Sequence, residues 1–145
     1  MGMTGSVRRL ALAAALLVMV PPAAQAQEDA LREAILDYMD FATYHQGILQ
    51  PQQIDRALFE QAIFVDARDA SEYAQGHIPG AVNIDWRAVP REVESLPDGM
   101  IVVYCNTGTL SAQAALAARL MGHDNVVMLQ GGLDGWRRDG AWHPQ

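Results

Sequence analysis

Three unbroken apolar runs of four or five residues, Ala62–Val65, Met100–Tyr104 and Val126–Leu129, alternate along the chain with stretches of helical periodicity. A fourth run, Ala81–Ile84, admits only Asn83. Strands apolar on both sides must be covered on both faces, so this alternation predicts an α/β fold, a parallel sheet flanked by helices. The intervening helices are legible too. Pro51 suits a first helical turn, with Ile54, Ala57 and Leu58 as an apolar stripe. Asp69 is expected to cap a short helix, with Glu72 answering it as a capping box. Ser111–Met121 is an alanine-rich helix, and Gly131-Gly132 opens a last turn and a short helix through Trp136. Ile48-Leu49 reads as an edge strand. Ligands of open parallel sheets bind beyond the carboxyl ends of the strands, and Cys105 directly follows the most apolar strand.

The N-terminus belongs to a different regime. Arg8 and Arg9 precede an apolar run of eleven residues, Leu10–Val20, and Pro21-Pro22 and Ala24-Gln25-Ala26 follow. A positive start, a short apolar stretch and small residues at the cleavage positions identify residues 1–26 as a signal peptide, cleaved near Ala26. The run is shorter than the ~20 residues a membrane span needs, so no stable membrane insertion is expected after cleavage. The paired arginines are compatible with a twin-arginine route. The expected location is the periplasm or the exterior. Residues 27–47 form an acidic amphipathic helix, Glu28–Phe41, and a connection, leaving 48–145 for the domain proper.

The mature chain carries eight arginines, no lysine and seventeen acids, a net charge of −9 with histidines neutral. A surface of that sign repels phosphate backbones, which excludes nucleic acid as a partner. One cysteine cannot form an internal disulfide or a dithiol redox pair. The four histidines show no ligand spacing and there is only one cysteine, so no metal site is expected.

The chemistry concentrates in Cys105-Asn106-Thr107-Gly108-Thr109-Leu110-Ser111. Gly108 lets this segment curl, so that backbone N–H groups converge as an anion-binding nest beside a helix N-terminus. A thiol at the base of such a cradle is expected to ionise more readily, and the thiolate is the nucleophile. The competing reading is a structural cysteine buried at a strand end.

The landmarks around this loop resemble those of the rhodanese homology domain. Phe64-Val65-Asp66-Ala67-Arg68, Glu72-Tyr73 and Gly76-His77-Ile78-Pro79-Gly80-Ala81 match its first signature. Val102-Val103-Tyr104-Cys105, the loop with Gly108 and Ser111, and Gly131-Gly132 with Trp136 follow in order. The resemblance covers roughly residues 48 to 140. It implies a small domain with a five-stranded parallel sheet, and a sulfurtransferase in which Cys105 accepts a sulfane sulfur as a persulfide and hands it on. The donor would be thiosulfate, a polysulfide or a protein persulfide, and the resemblance implies no metal or organic cofactor. Asn106, Thr107, Gly108, Thr109, Leu110 and Ser111, with Arg68, would bind it, and Asp66 and Glu72 would support the loop. The sequence departs from the common pattern at Leu110, where arginine usually precedes the serine, so Asn106–Leu110 holds no cation. Phosphatase relatives have a longer loop ending in arginine. Here no arginine follows the loop before Arg119, so phosphatase chemistry is not expected.

Two other readings stand beside this one. A non-catalytic domain could serve as an interaction module for a cell-envelope protein, with Leu110 making the loop mouth apolar. An exposed thiolate could instead act as a redox sensor. For Asp66 and Arg68 a structural ion pair that ties the turn together, with Glu72 as the candidate partner, competes with anion capture, and His77 reads as a hydrogen-bonded turn residue.

Overall fold

The computed structural model describes residues 22–144. Residues 1–21, most of the expected signal peptide, lie outside the described residues. The helix α1 spans Pro22–Phe41, beginning earlier than the Glu28 start its periodicity suggested, and none of its residues is buried. Its first part, to Glu33, belongs to a different unit from Ala34 onward. Among the described residues no helix is long and apolar enough to cross a membrane.

From Ala34 onward the elements alternate as the apolar runs anticipate. They are β1 (Ile48–Leu49), α2 (Arg56–Gln61), β2 (Ile63–Asp66), α3 (Ala70–Gln75), β3 (Val82–Asn83), α4 (Val89–Glu92), β4 (Ile101–Tyr104), α5 (Thr109–Leu120), β5 (Val126–Leu129) and α6 (Gly132–Asp139). All five strands are parallel, in the order β1-β5-β4-β2-β3. The two edge strands have only two residues each, which limits the unpaired backbone a sheet edge offers to other chains.

The period of two along β4 divides the core. Ile101 and Val103 face a cluster with Val65, Val126, Val89 and the α5 residues Ala114, Ala115 and Ala118. Val102 and Tyr104 face Phe64, Leu129, Ile54 and the α6 residues Leu133 and Trp136. Helices α4 and α5 therefore cover one face, and α2 and α6 the other. Every β4 residue is buried, and each such aliphatic side chain contributes about 1.5–3 kcal/mol.

Three local expectations shift. The stripe after Pro51 is two pieces, a 3-10 turn at Pro51–Gln53 and α2, because the Asp55 side chain accepts from Leu58 N–H at 2.8 Å and starts a new helix. Ile54, between them, is fully buried. The polar connection after β3 contains α4, too short to show periodicity. Helix α5 starts at Thr109, two residues before the expected Ser111, with Gly108 at its N-cap.

The topology determines where a site can form. After β2 the chain moves outward to β3, whereas after β4 it moves the opposite way to β5. The crevice between the carboxyl ends of β2 and β4 is thus a switch point. Register pairs Asp66 with Tyr104, so Ala67 and Cys105 leave the sheet side by side.

Candidate active site

Cys105 leaves β4 at this switch point as a free thiol, 4% exposed. Gly108 takes φ 98°, a conformation that a side chain would strain, and turns the loop back over the sulfur. Its N–H donates to Sγ at 3.2 Å. The Ser111 hydroxyl reaches Sγ at 3.7 Å and the Gly108 carbonyl at 3.1 Å, so its single proton can serve either acceptor. Burial by itself pushes the thiol pKa up. The backbone N–H of Ser111, its hydroxyl, and the N–H groups of Leu110 and Gly108 outweigh that, and the pKa of Cys105 lies below the ordinary thiol value.

The outer side of the loop is held by α6. The Cys105 carbonyl accepts from Leu133 N–H at 2.8 Å, and the Asn106 carbonyl from Asp134 N–H at 3.0 Å. In a trans peptide plane the N–H points opposite to the C=O. Anchoring these two carbonyls on α6 therefore turns the N–H groups of Asn106 and Thr107 the other way. The approach is so close that a Cβ on Gly132 would lie 2.3 Å from the Cys105 carbonyl oxygen. This anchor was not visible in the sequence beyond the Gly131-Gly132 pair.

The inner side is held by a charged relay. Asp66, fully buried, accepts from Arg68 Nε at 2.9 Å and Nη2 at 2.5 Å. Arg68 Nη2 also donates to the Gly76 carbonyl at 2.7 Å, and Nη1 to Asn106 Oδ1 at 3.1 Å. Asn106 Nδ2 in turn donates to Glu72 Oε1 at 2.6 Å. The expected capping box is thus half formed. Asp69 accepts from the Ser71 and Glu72 N–H groups at 2.9 and 3.0 Å, but the Glu72 carboxylate is drawn to Asn106. That charge-assisted bond crosses 34 residues of chain and engages the carboxylate that a capping box would have used. Arg68 therefore pairs with Asp66, not Glu72, and sits buried behind the loop with four of its five N–H donors engaged.

Thr107, Thr109 and Leu110 form the exposed rim, the two threonine hydroxyls 3.5 Å apart and Leu110 38% exposed. His77 is a turn residue whose Nδ1 donates to the Tyr73 carbonyl at 2.9 Å, its ring stacked on Tyr73. Trp136 is buried and Trp86 packs against the core. Among the described residues no group of three or more His, Cys, Asp or Glu side chains could hold a metal ion.

The arrangement can present a sulfur nucleophile to an incoming group and stabilise added negative charge on that sulfur by backbone donors. A family model described as Rhodanese-like domain matches residues 50–139. A sulfurtransferase of Allochromatium vinosum is 35% identical over 82 residues, which are 56% of this chain and 77% of the relative. Thiosulfate sulfurtransferase GlpE of Pseudomonas entomophila is 34% identical over 90 residues, covering 61% of this chain and 83% of that one. A rhodanese-like domain from Anabaena, solved by solution NMR, superposes with a TM-score of 0.56 at 29% identity, covering 65% of this chain and 75% of its own.

Proposed function

The chain belongs to the rhodanese-like domain family, and from that premise we propose that it is a sulfurtransferase working through a persulfide on Cys105. The Cys105 thiolate attacks the outer sulfur of a donor. A Cys105–sulfur bond forms, the donor's S–S bond breaks, and the electron pair leaves with the remainder, as sulfite from thiosulfate or as a thiolate from a persulfide. The outer sulfur then carries the charge, within reach of the N–H groups of Gly108, Leu110 and Ser111 that already favour the thiolate. An acceptor nucleophile attacks that sulfur and regenerates the thiolate. No net oxidation occurs.

The observation carrying this reading is the set of donors converging on a buried thiol, the Gly108 N–H at 3.2 Å and the Ser111 hydroxyl at 3.7 Å from Sγ, which favours its ionised form. Asn106, held between Arg68 and Glu72, keeps the loop in the shape that aims those donors. Arg68 and Asp66 then act as positioning residues behind the loop. Exposed Leu110 at the mouth is the observation favouring a non-catalytic interaction module, but such a module has no use for a thiol poised to ionise.

The same reading includes export, with cleavage near Ala26, supported by Arg8-Arg9, the Leu10–Val20 run and Ala24-Gln25-Ala26. N-terminal sequencing of the protein from a periplasmic fraction would test it, and an intact Met1 would refute it.

Intact mass spectrometry tests the chemistry. After incubation with thiosulfate, or with polysulfide, the protein should gain one sulfur atom. Cyanide should remove that atom as thiocyanate, and Cys105→Ser should not acquire it. A protein that gains no sulfur from either donor would refute the proposal.

A further inference from the structure

The charges around Cys105 bear on which donor the site accepts. Resting on the sulfurtransferase reading, we infer that the site takes its sulfur from a persulfide carried on an apolar body in preference to a compact dianion, and that Leu110 sets this choice.

The argument begins with the cations. The segment Asn106–Leu110 contains none. Arg68 approaches the loop only from behind, through the Asn106 side-chain oxygen. Four of its five donors are engaged, and its charge is matched by buried Asp66 at 2.5 Å. Glu72 adds a carboxylate hydrogen-bonded to the loop itself at 2.6 Å from Asn106 Nδ2. In the hydrogen-bonded series Asp66–Arg68–Asn106–Glu72 two carboxylate side chains thus face one guanidinium, before the thiolate is counted. The rest of the chain, rich in acids, does not offset this field. A dianion such as thiosulfate would approach against it, with backbone N–H groups alone to replace its hydration.

The rim supplies what a different donor needs. Thr107 and Thr109 are uncharged, and Leu110 presents an exposed isobutyl group one residue before Ser111. Leu110 directly precedes Ser111, whose hydroxyl lies 3.7 Å from Cys105 Sγ, so its exposed side chain belongs to the rim of the same loop. The reacting group of a hydropersulfide, R–S–S–H, bears at most one negative charge, and with an uncharged R such as benzyl that is the whole charge of the donor. Its R group can cover Leu110, removing apolar surface from water on both partners. The thiolate attacks the outer sulfur, R–S⁻ departs with the electron pair, and the proton stays with the transferred sulfur until solvent takes it. Atoms and charge balance, and no oxidant is required.

Rates of Cys105 sulfur loading, followed by intact mass, test this. The donors are benzyl hydropersulfide, glutathione persulfide and thiosulfate, each rate normalised to that of the donor with a free small-molecule thiol. The normalised rate should fall in that order, with benzyl hydropersulfide ahead of thiosulfate by roughly tenfold or more. Leu110→Arg should raise the thiosulfate rate by roughly tenfold and lower that of benzyl hydropersulfide. Leu110→Gln should lower the benzyl rate while leaving thiosulfate slow, which separates charge from apolarity. Because Leu110 is exposed, neither change threatens the core. Thiosulfate loading the parent protein fastest, or a donor order unmoved by Leu110→Arg, would overturn the inference and leave the sulfurtransferase reading standing. Loading by none of the three donors would overturn both.

Discussion

Replacing Gly132 by alanine should distort the Cys105 loop from outside the site, at a cost that can be worked from the geometry. Gly132 has φ 58°, and placing a Cβ in the left-handed region costs about 1–2 kcal/mol. The added Cβ would lie 2.3 Å from the Cys105 oxygen and 2.6 Å from the Asn106 carbonyl carbon and oxygen, all backbone atoms with no flexible end to move aside. The loop and α6 must separate, weakening the Leu133–Cys105 and Asp134–Asn106 hydrogen bonds, each worth about 0.5–1.5 kcal/mol net. The expected loss is about 2–5 kcal/mol. At an m-value of about 1.5 kcal/mol per molar, the urea midpoint falls by roughly 1–3 M. Gly80→Ala is the control. Gly80 has φ 83° with nothing within 4 Å of the new Cβ, so that variant carries the backbone strain alone. Iodoacetamide alkylation of Cys105 should also change in Gly132→Ala and stay unchanged in Gly80→Ala. Equal midpoints for the two variants would refute the claim that α6 holds the loop by direct contact.

Ser111→Ala removes one of the donors that lower the Cys105 pKa, so the midpoint of alkylation rate against pH should move upward. The shift should be partial, since the backbone N–H groups of Ser111, Leu110 and Gly108 remain. Because folding depresses this thiol pKa, its ionisation contributes stability that is complete above the unfolded thiol value and lost as pH falls through the folded one. Urea midpoints of the parent should therefore rise with pH across that interval, whereas those of Cys105→Ser lack this contribution. Arg68→Met leaves Asp66 fully buried without its partner and should cost about 3–5 kcal/mol in urea unfolding. Asn106→Asp replaces the amide donor facing Glu72 by a second carboxylate. It should slow sulfur loading of Cys105 while the urea midpoint changes less than in Arg68→Met, because Asn106 is only partly buried.

Local chemistry made much of this protein legible in one dimension. The strands announced themselves because a central parallel strand such as Ile101–Tyr104 must be apolar on both sides, a pattern that survives any tertiary arrangement. The thiol's cradle was equally readable, since the residues after Cys105 lie in one continuous segment whose glycine and helix start belong to the same few positions. What periodicity could not reveal were contacts between segments distant in sequence. Glu72 was expected to answer its own helix cap, and only the proximity of the β2 and β4 ends gave it Asn106 to bind instead. For Arg68 the sequence left a structural ion pair and anion capture in competition, and only the fold shows the buried Asp66 two residues earlier holding its guanidinium behind the loop.

By itself, the sequence determined the α/β class, the place of Cys105 at a strand's carboxyl end and the uncharged loop, because these depend on local periodicity and residue chemistry. Only the tertiary structure decided that the loop is clamped from two sides, by α6 on its carbonyls and by the Asp66–Arg68–Asn106–Glu72 relay on its side chain. The physical reason is that hydrogen bonds and close backbone approaches act over about 3 Å, and which distant residues come that close is set by strand order and register rather than by neighbours in the chain.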